Sequence, residues 1–168
     1  MLRIFTFFTV IFFTTIALAQ ENAKTETLPM MPQWQLYDGA GQLVKSSDFL
    51  GKPLVIHFWA TWCPYCKKLQ PGLEKLYQKY QGDGLQMIAV SLREDEGATP
   101  QKALHSRGMT FKTLIKGDDV GMNLFSVSGT PTTVFIDKAG YIIGSTSTSE
   151  PDDPRLEKIV KYIVENQQ

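Results

Sequence analysis

The stretch WATWCPYCKKLQP, Trp59 to Pro71, contains both cysteines of the chain, Cys63 and Cys66, with two residues between them. An almost unbroken apolar run, LVIHFW at 54–59, leads into it and is typical of a central strand covered on both faces. After Cys63 the apolar residues follow a helical period. The stretch therefore predicts a turn from a buried strand into an amphipathic helix, with both thiols at the first turn of that helix.

The sequence on either side of this turn completes an α/β pattern. On the amino-terminal side, WQLY and QLV flank DGAG at 38–41, which predicts a β-hairpin. On the carboxyl-terminal side the pattern predicts a strand, a helix, a short strand, a short helix, a second hairpin and a final amphipathic helix, at 85–92, 99–107, 113–115, 120–125, 132–145 and 156–164. This order predicts a mixed sheet with helices on both faces.

Length and charge limit the function classes. A chain of 168 residues with 43% hydrophobic residues suits one domain with a proper core. The 17 basic and 17 acidic residues cancel, and no basic cluster is dense enough to bind a phosphate backbone. Nucleic acid is therefore not an expected partner.

The first residues, MLRIFTFFTVIFFTTIALAQE, predict export. Arg3 precedes an apolar run that ends in a small-x-small site at Ala17 to Ala19, as in a cleaved secretory signal peptide. We expect a signal peptide at 1–19, a tether at 20–33 and a folded domain at 34–168. An uncleaved anchor helix is the alternative, and it would bring the chain to a membrane. Both alternatives place the domain outside the cytoplasm, in a periplasm or a similar space where disulfides persist.

The CxxC stretch, the later GTPTTVFIDKAG at 129–140 and the final helix together resemble the thioredoxin superfamily. The resemblance is closest to its exported TlpA/ResA-like branch of thiol-disulfide oxidoreductases and covers roughly Trp34 to Glu165. It implies a thioredoxin fold, with a mixed central sheet flanked by helices, an N-terminal β-hairpin and a helix-strand insertion. It also implies a cis bond between Thr130 and Pro131, beside the dithiol, where the backbone receives a substrate chain.

The position of the two cysteines predicts different roles for them. At a helix N-terminus, Cys63 is expected to be the exposed, low-pKa nucleophile, stabilised by the helix dipole and by Lys67 or Lys68. Cys66, one turn deeper, is expected to resolve the mixed disulfide. A static structural bridge is disfavoured, because so short a loop constrains the unfolded chain little.

The residues around the dithiol predict a substrate surface and a direction of electron flow. The expected substrate contacts are made by Trp62, Pro64, Tyr65, Thr130 and Pro131. Pro64 has no N–H to stabilise a thiolate. Tyr65 stands where the oxidising DsbA proteins carry a histidine, and it adds no positive charge. The pair Pro-Tyr is the one found in glutaredoxins. We expect a potential between those of thioredoxin and DsbA, which span roughly 150 mV. This favours the reduction of protein disulfides, with a membrane protein as electron donor.

Two positions depart from the family pattern. On the central strand His57 stands where thioredoxins carry a buried aspartate that relays the proton of the resolving cysteine. It is either a neutral core histidine or the proton acceptor for Cys66, kept neutral by burial. ResA-like reductants in cytochrome c maturation carry a glutamate where this chain has Leu69, which weakens an assignment to that pathway.

Other functions are less well supported. A dithiol oxidant that introduces disulfides is the alternative within the class, and a periplasmic copper-binding module is the alternative from another class. Two Cys and two His without paired spacing do not make a structural zinc site, so we expect no metal and no cofactor. A peroxiredoxin motif does not fit 59–63. The charged run Arg93-Glu94-Asp95-Glu96, after the 85–92 strand, is predicted to be a solvated loop.

Overall fold

The computed structural model describes residues 28–166. The predicted signal peptide at 1–19 and the first part of the predicted tether lie outside the described residues. Across the rest of the chain, the α/β architecture predicted from the sequence is present.

A single mixed sheet of seven strands forms the centre of the described domain. In sheet order the strands are β2, β1, β5, β4, β3, β6 and β7, with chain positions Leu43–Lys45, Gln35–Asp38, Lys112–Ile115, Gln86–Ser91, Leu54–Trp59, Thr132–Ile136 and Ile142–Thr146. The pairs β3–β4 and β4–β5 are parallel, whereas β1–β2, β1–β5, β3–β6 and β6–β7 are antiparallel. Strand β3 is therefore an interior strand, paired on both sides, as its apolar sequence predicts.

The three α-helices lie on one face of this sheet, and short helices lie on the other, in agreement with the predicted cover of both faces. They are α1 (Pro64–Tyr80), α2 (Pro100–His105) and α3 (Pro154–Glu165), and buried residues of all three join one apolar cluster. The crossovers from β3 to β4 and from β4 to β5 advance in the same direction across the sheet. Because such crossovers are right-handed, they place α1 and α2 on the same side.

Short helices and side chains cover the opposite face. A 3-10 helix at Ser46–Phe49 and a π-helix at Val120–Leu124 flank this side, where Trp34, Phe58 and Val127 belong to a second buried cluster. The predicted short helix at 120–125 is thus present as a π-turn. With both faces covered, all six residues of β3 are buried, which explains its continuous apolar run.

Residues of the predicted tether pair with the edge of the sheet. Residues 29–31 were expected to belong to the tether, but Met30 forms a β-bridge with Tyr141. The Pro29 carbonyl accepts a hydrogen bond of 2.8 Å from the Ile142 N–H, and the Met31 N–H donates to the Gly140 carbonyl at 2.8 Å. These bonds cover unpaired backbone groups at the edge of the sheet, which stabilises the segment although its own sequence has no strand period.

Within residues 28–166, none of the helices combines the length and the apolar character needed to cross a membrane.

Candidate active site

The dithiol lies at the junction of β3 and α1. Cys63 is the N-cap of α1, and its Sγ accepts a hydrogen bond of 3.1 Å from the Cys66 N–H. Pro64 occupies the first turn, where the N–H that it lacks would have no helical partner. Cys63 and Cys66 form a disulfide. The first sulfur therefore faces the positive end of the helix dipole, as the sequence predicts.

Cys63 is much less exposed than predicted. Its side chain is 1% exposed, and that of Cys66 is 0% exposed. The disulfide holds Cys63 Sγ against the loop before β6, 3.6 Å from the Thr130 carbonyl oxygen. The prediction of an exposed nucleophile is therefore wrong for the disulfide form, in which attack is confined to a narrow approach beside that loop.

The loop before β6 meets the expectation for a cis-proline loop. The Thr130–Pro131 peptide bond is cis, Pro131 is buried, and Thr130 contacts the sulfur of Cys63 through its carbonyl. Gly129 is open, because an added Cβ would meet no atom of the described chain within 4 Å. The space above this loop is thus accessible to another molecule.

Aromatic side chains form an exposed rim around the disulfide. Trp62 is 48% exposed and Tyr65 is 62% exposed, unusually high for large aromatic residues, and Pro64 between the cysteines is also exposed. A small cavity of about 140 Å³ adjoins the rim, lined by Trp62, Leu92, Arg93, Val127, Gly129 and Thr130. Four of the five predicted substrate contacts are therefore exposed or line this cavity, whereas Pro131 lies beneath them.

The loop after β4, at 93–96, forms hydrogen bonds with residues of the active site. The sequence predicted only a solvated loop here. The Glu94 carboxylate accepts hydrogen bonds from the Thr61 N–H, at 3.0 and 3.2 Å, and from the Thr61 hydroxyl at 2.5 Å. The Trp62 indole N–H donates to the Arg93 carbonyl at 2.7 Å. Arg93 has a φ of +50°, a strained value for a residue other than glycine. The loop therefore fixes the residues just before Cys63.

His57 is completely buried on the helix side of β3. Because side chains alternate along a strand, His57 faces the same side as Val55 and Trp59, which belong to the apolar cluster of Cys66. Its Nδ1 lies 3.3 Å from the Thr133 hydroxyl, and its Nε2 has no hydrogen-bond partner among the described residues. Burial, and secondarily the charge of Arg107, lower the pKa of His57 to about 3, so the imidazole is neutral.

The three residues after Cys66 differ in charge and burial. Lys67 is exposed, and the Lys68 ammonium is paired with the Glu150 carboxylate at 2.5 Å. Lys68 is thus partly neutralised. Leu69 is completely buried, so the side of α1 that carries a glutamate in ResA-like reductants is apolar here.

The described part of the chain contains no group of three or more His, Cys, Asp and Glu residues placed to hold an ion.

Sequence reasoning missed several residues near the dithiol. Glu94 and Arg93 follow β4, the parallel neighbour of β3, and the carboxyl ends of parallel neighbours meet at one edge of a sheet. That rule could have predicted their position beside Cys63. No comparable rule predicts the contact between Gln70 and Arg107. Gln70 lies in α1 and Arg107 in the loop after α2, so the two meet only once α2 has packed on the sheet.

Comparisons with known proteins identify the family of this chain. The AhpC/TSA family matches residues 29–145. The thiol-disulfide oxidoreductase ResA of Geobacillus kaustophilus (strain HTA426) is 34% identical over 131 residues, which are 76% of this chain and 75% of that protein.

Solved structures give the same result. One assigned to the thiol:disulfide interchange protein DsbE of Chlorobium tepidum superposes with a TM-score of 0.73 at 28% identity and covers 82% of this chain and 96% of its own. A thiol:disulfide interchange protein from Bacteroides sp. superposes with a TM-score of 0.67 at 25% identity and covers 80% of this chain and 90% of its own. The chain therefore belongs to the AhpC/TSA family of the thioredoxin superfamily and is a ResA-like thiol-disulfide oxidoreductase.

Proposed function

We propose that this protein is exported and reduces disulfides of other proteins outside the cytoplasm, with Cys63 as the nucleophile and Cys66 as the resolving thiol. The observation that carries the proposal is the placement of Cys63 Sγ at the N-terminus of α1, where it accepts the Cys66 N–H and adjoins the Thr130 carbonyl. The helix terminus stabilises a thiolate at this atom, and the exposed aromatic rim offers a surface for a substrate chain.

The reaction transfers two electrons in two exchanges. The Cys63 thiolate attacks one sulfur of the substrate disulfide, and a mixed disulfide forms while the first substrate thiolate leaves. Cys66 then loses its proton and attacks Cys63 Sγ, which releases the second substrate thiolate and closes the Cys63–Cys66 disulfide. An external dithiol, for which a membrane protein is the proposed source, restores the reduced form by the reverse exchanges.

His57 is the proposed acceptor of the Cys66 proton. With a proton on Nδ1 directed at the Thr133 hydroxyl, Nε2 carries a free lone pair on the side of the sheet where Cys66 packs. The low pKa of His57 belongs to the disulfide form, which has no thiolate. A thiolate forming at Cys66 would stabilise the imidazolium by charge attraction.

Replacing His57 with alanine or asparagine should slow resolution, because Cys66 would lose its base. General-base groups typically contribute about 100-fold or more, so the mixed disulfide should persist about 100-fold longer and accumulate in acid-quenched samples. The matched control is His105→Ala, which removes an exposed histidine of α2. An unchanged lifetime of the mixed disulfide in both His57 variants would rule out the role and leave a neutral core histidine.

The same burial of His57 should make the fold sensitive to acid. The unfolded chain binds a proton at the ordinary histidine pKa of about 6.5, whereas the folded state does so only near 3. Stability should therefore fall as the pH decreases through this window, by about 2 kcal/mol between pH 7 and pH 5. Urea unfolding at both pH values checks this prediction. Between pH 7 and pH 5 the free energy of unfolding of His57→Asn should fall by about 2 kcal/mol less than that of the wild type. An equal fall in the two proteins would contradict the prediction.

The direction of electron flow is tested by the equilibrium reduction potential of the Cys63/Cys66 pair in a glutathione series, together with insulin reduction. The pair Pro64-Tyr65 supports a value between about −270 mV, as in thioredoxin, and about −120 mV, as in DsbA. A value near the DsbA end, with slow insulin reduction, would favour the alternative of a dithiol oxidant. A copper titration of the reduced protein tests the remaining alternative.

Export is supported by the ResA and DsbE names of the relatives and by the amino-terminal sequence. Fractionation of cells that express the full chain tests it, since a periplasmic product shortened by 19 residues would agree with the predicted cleavage site. The buried Leu69 gives no support to a role in cytochrome c maturation, so general reduction or isomerisation of protein disulfides is the preferred assignment.

A further inference from the structure

A polar cluster of three buried residues and half-buried Arg107 lies on the helix side of the sheet, in the layer that contains the dithiol. Four buried polar atoms in this layer have no hydrogen-bond partner within residues 28–166: His57 Nε2, Gln70 Nε2, Ser91 Oγ and Arg107 Nη2. Buried polar groups are costly without partners. A core that only stabilised the fold would be expected to be apolar here, so this cluster calls for a functional explanation.

Arg107 is the charged member of the cluster, and two residues hold its guanidinium. Its Nε donates a hydrogen bond of 3.0 Å to the Gln70 side-chain oxygen. The guanidinium carbon lies 5.2 Å from the centroid of the Trp59 ring, within range of a cation–π contact. Because a guanidinium can only donate, the bond also fixes the orientation of the Gln70 amide.

These two contacts place the charge close to the dithiol. Gln70 follows Cys66 by one turn of α1, and residues so spaced on a helix are about 5–6 Å apart. Trp59 is the last residue of β3, just before the loop that leads to Cys63. The guanidinium thus contacts both β3, the strand before the dithiol, and α1, the helix that begins after Cys63.

Charges of both signs lie near Arg107. Burial lowers its pKa and the Glu94 charge raises it, but a guanidinium stays protonated in proteins. Arg107 in turn lowers the pKa of His57, so its field reaches the centre of β3. The Glu94 carboxylate, which accepts a hydrogen bond from Thr61, partly offsets this charge. Lys67 is exposed and Lys68 is paired with Glu150. Arg107 is therefore the cation that contacts the residues on either side of the dithiol, Trp59 and Gln70.

We propose that Arg107, held by Gln70 and Trp59, is a positioning residue that sets the reduction potential of the dithiol through its positive charge. The proposal rests on the proposed role of Cys63 and Cys66 as the exchanging pair. Reduction of the disulfide by two electrons and one proton yields a Cys63 thiolate and a Cys66 thiol. A nearby cation stabilises the thiolate and not the uncharged disulfide, so it favours the reduced form and raises the potential.

The test compares charge with shape at position 107. Arg107→Lys keeps a cation, Arg107→Gln keeps a planar donor toward Gln70 without charge, and Arg107→Met keeps apolar length only. For each folded variant, the equilibrium with glutathione and the pH titration of the Cys63 thiolate are measured. We expect loss of a partly screened unit charge to change the equilibrium constant about three- to tenfold, or about 15–30 mV at about 30 mV per tenfold.

We expect both neutral variants to have a more negative potential and a thiolate that titrates at higher pH, with Arg107→Lys close to the wild type. Unchanged values in the neutral variants would overturn the proposal. An equal shift in Arg107→Lys would also overturn it, because packing and not charge would then be responsible. A wild-type pair that never equilibrates with glutathione would refute the proposed function itself, and this inference with it.

Discussion

Replacing Cys63 with serine should abolish disulfide reduction, whereas replacing Cys66 with serine should yield a protein that captures substrates and cannot release them. A serine hydroxyl at the start of α1 is not ionised near neutral pH, so the loss of the nucleophile should lower the rate of insulin reduction by at least about 1000-fold, or about 4 kcal/mol at about 1.4 kcal/mol per tenfold. In Cys66→Ser the thiolate at Cys63 still benefits from the helix terminus, so its first exchange should proceed.

The two variants differ in a directly measurable product. Non-reducing electrophoresis and intact-mass measurement should show a covalent complex with a disulfide substrate for Cys66→Ser and none for Cys63→Ser. The double variant is the control for non-specific association. If Cys63→Ser formed the complex and Cys66→Ser did not, the assignment of the two roles would be reversed.

The structure adds a condition on how the electron donor reaches the Cys63–Cys66 disulfide. In the disulfide form Cys63 is almost completely buried, and its sulfur touches the Thr130 carbonyl. The exposed surface belongs to Trp62 and Tyr65, which flank it. A reductant must therefore approach along the rim and the open space at Gly129, which favours an extended chain over a rigid surface.

Local patterns in the sequence predicted the elements that carry the dithiol. The apolar run at 54–59 predicts a strand buried on both faces, and the helical period after Cys63 predicts α1, because both patterns depend on neighbours within a few residues. The Asp and Gly residues at 38–41 and 137–140 likewise predicted the two hairpin turns. The cis bond at Thr130–Pro131 was predicted from the family resemblance and is present.

Contacts between distant segments could not be predicted in this way. Glu94 was placed in a solvated loop, since nothing in an acidic run shows that one carboxylate will accept the Thr61 N–H. The stacking of Arg107 on Trp59 likewise depends on where α2 packs. Pro29 and Met31 look like a tether because their hydrogen bonds are made with the turn before β7 and not with each other.

A glycine of α1 should be as important for stability as the cysteines are for activity. Gly72 is buried, and a Cβ built on it would lie 2.1 Å from the carbonyl oxygen of Pro151 and 2.7 Å from its carbonyl carbon. Both are backbone atoms of the segment that leads from β7 into α3, so they cannot move aside as a flexible side chain would. The absent side chain therefore lets α1 and this segment approach each other closely.

Gly72→Ala should destabilise the fold by about 3 kcal/mol, roughly 100-fold in the folding equilibrium, because overpacking against backbone forces α1 or the Pro151 segment to shift. The higher helix propensity of alanine, about 1 kcal/mol, opposes this loss but does not cancel it. Urea unfolding at neutral pH measures the difference. Gly82→Ala is the matched control, since a Cβ there meets nothing within 4 Å, and it should leave stability nearly unchanged.

Both outcomes of that comparison bear on the active site. Gly72 lies in α1 beyond Cys66 and Gln70, so a shift of the helix away from Pro151 would also move the Gln70 amide that holds Arg107. Gly72→Ala protein that is still folded should then show an altered reduction potential, whereas Gly82→Ala should not. Equal stability of the two alanine variants would mean that the segment at Pro151 yields easily and that the close approach does not constrain α1.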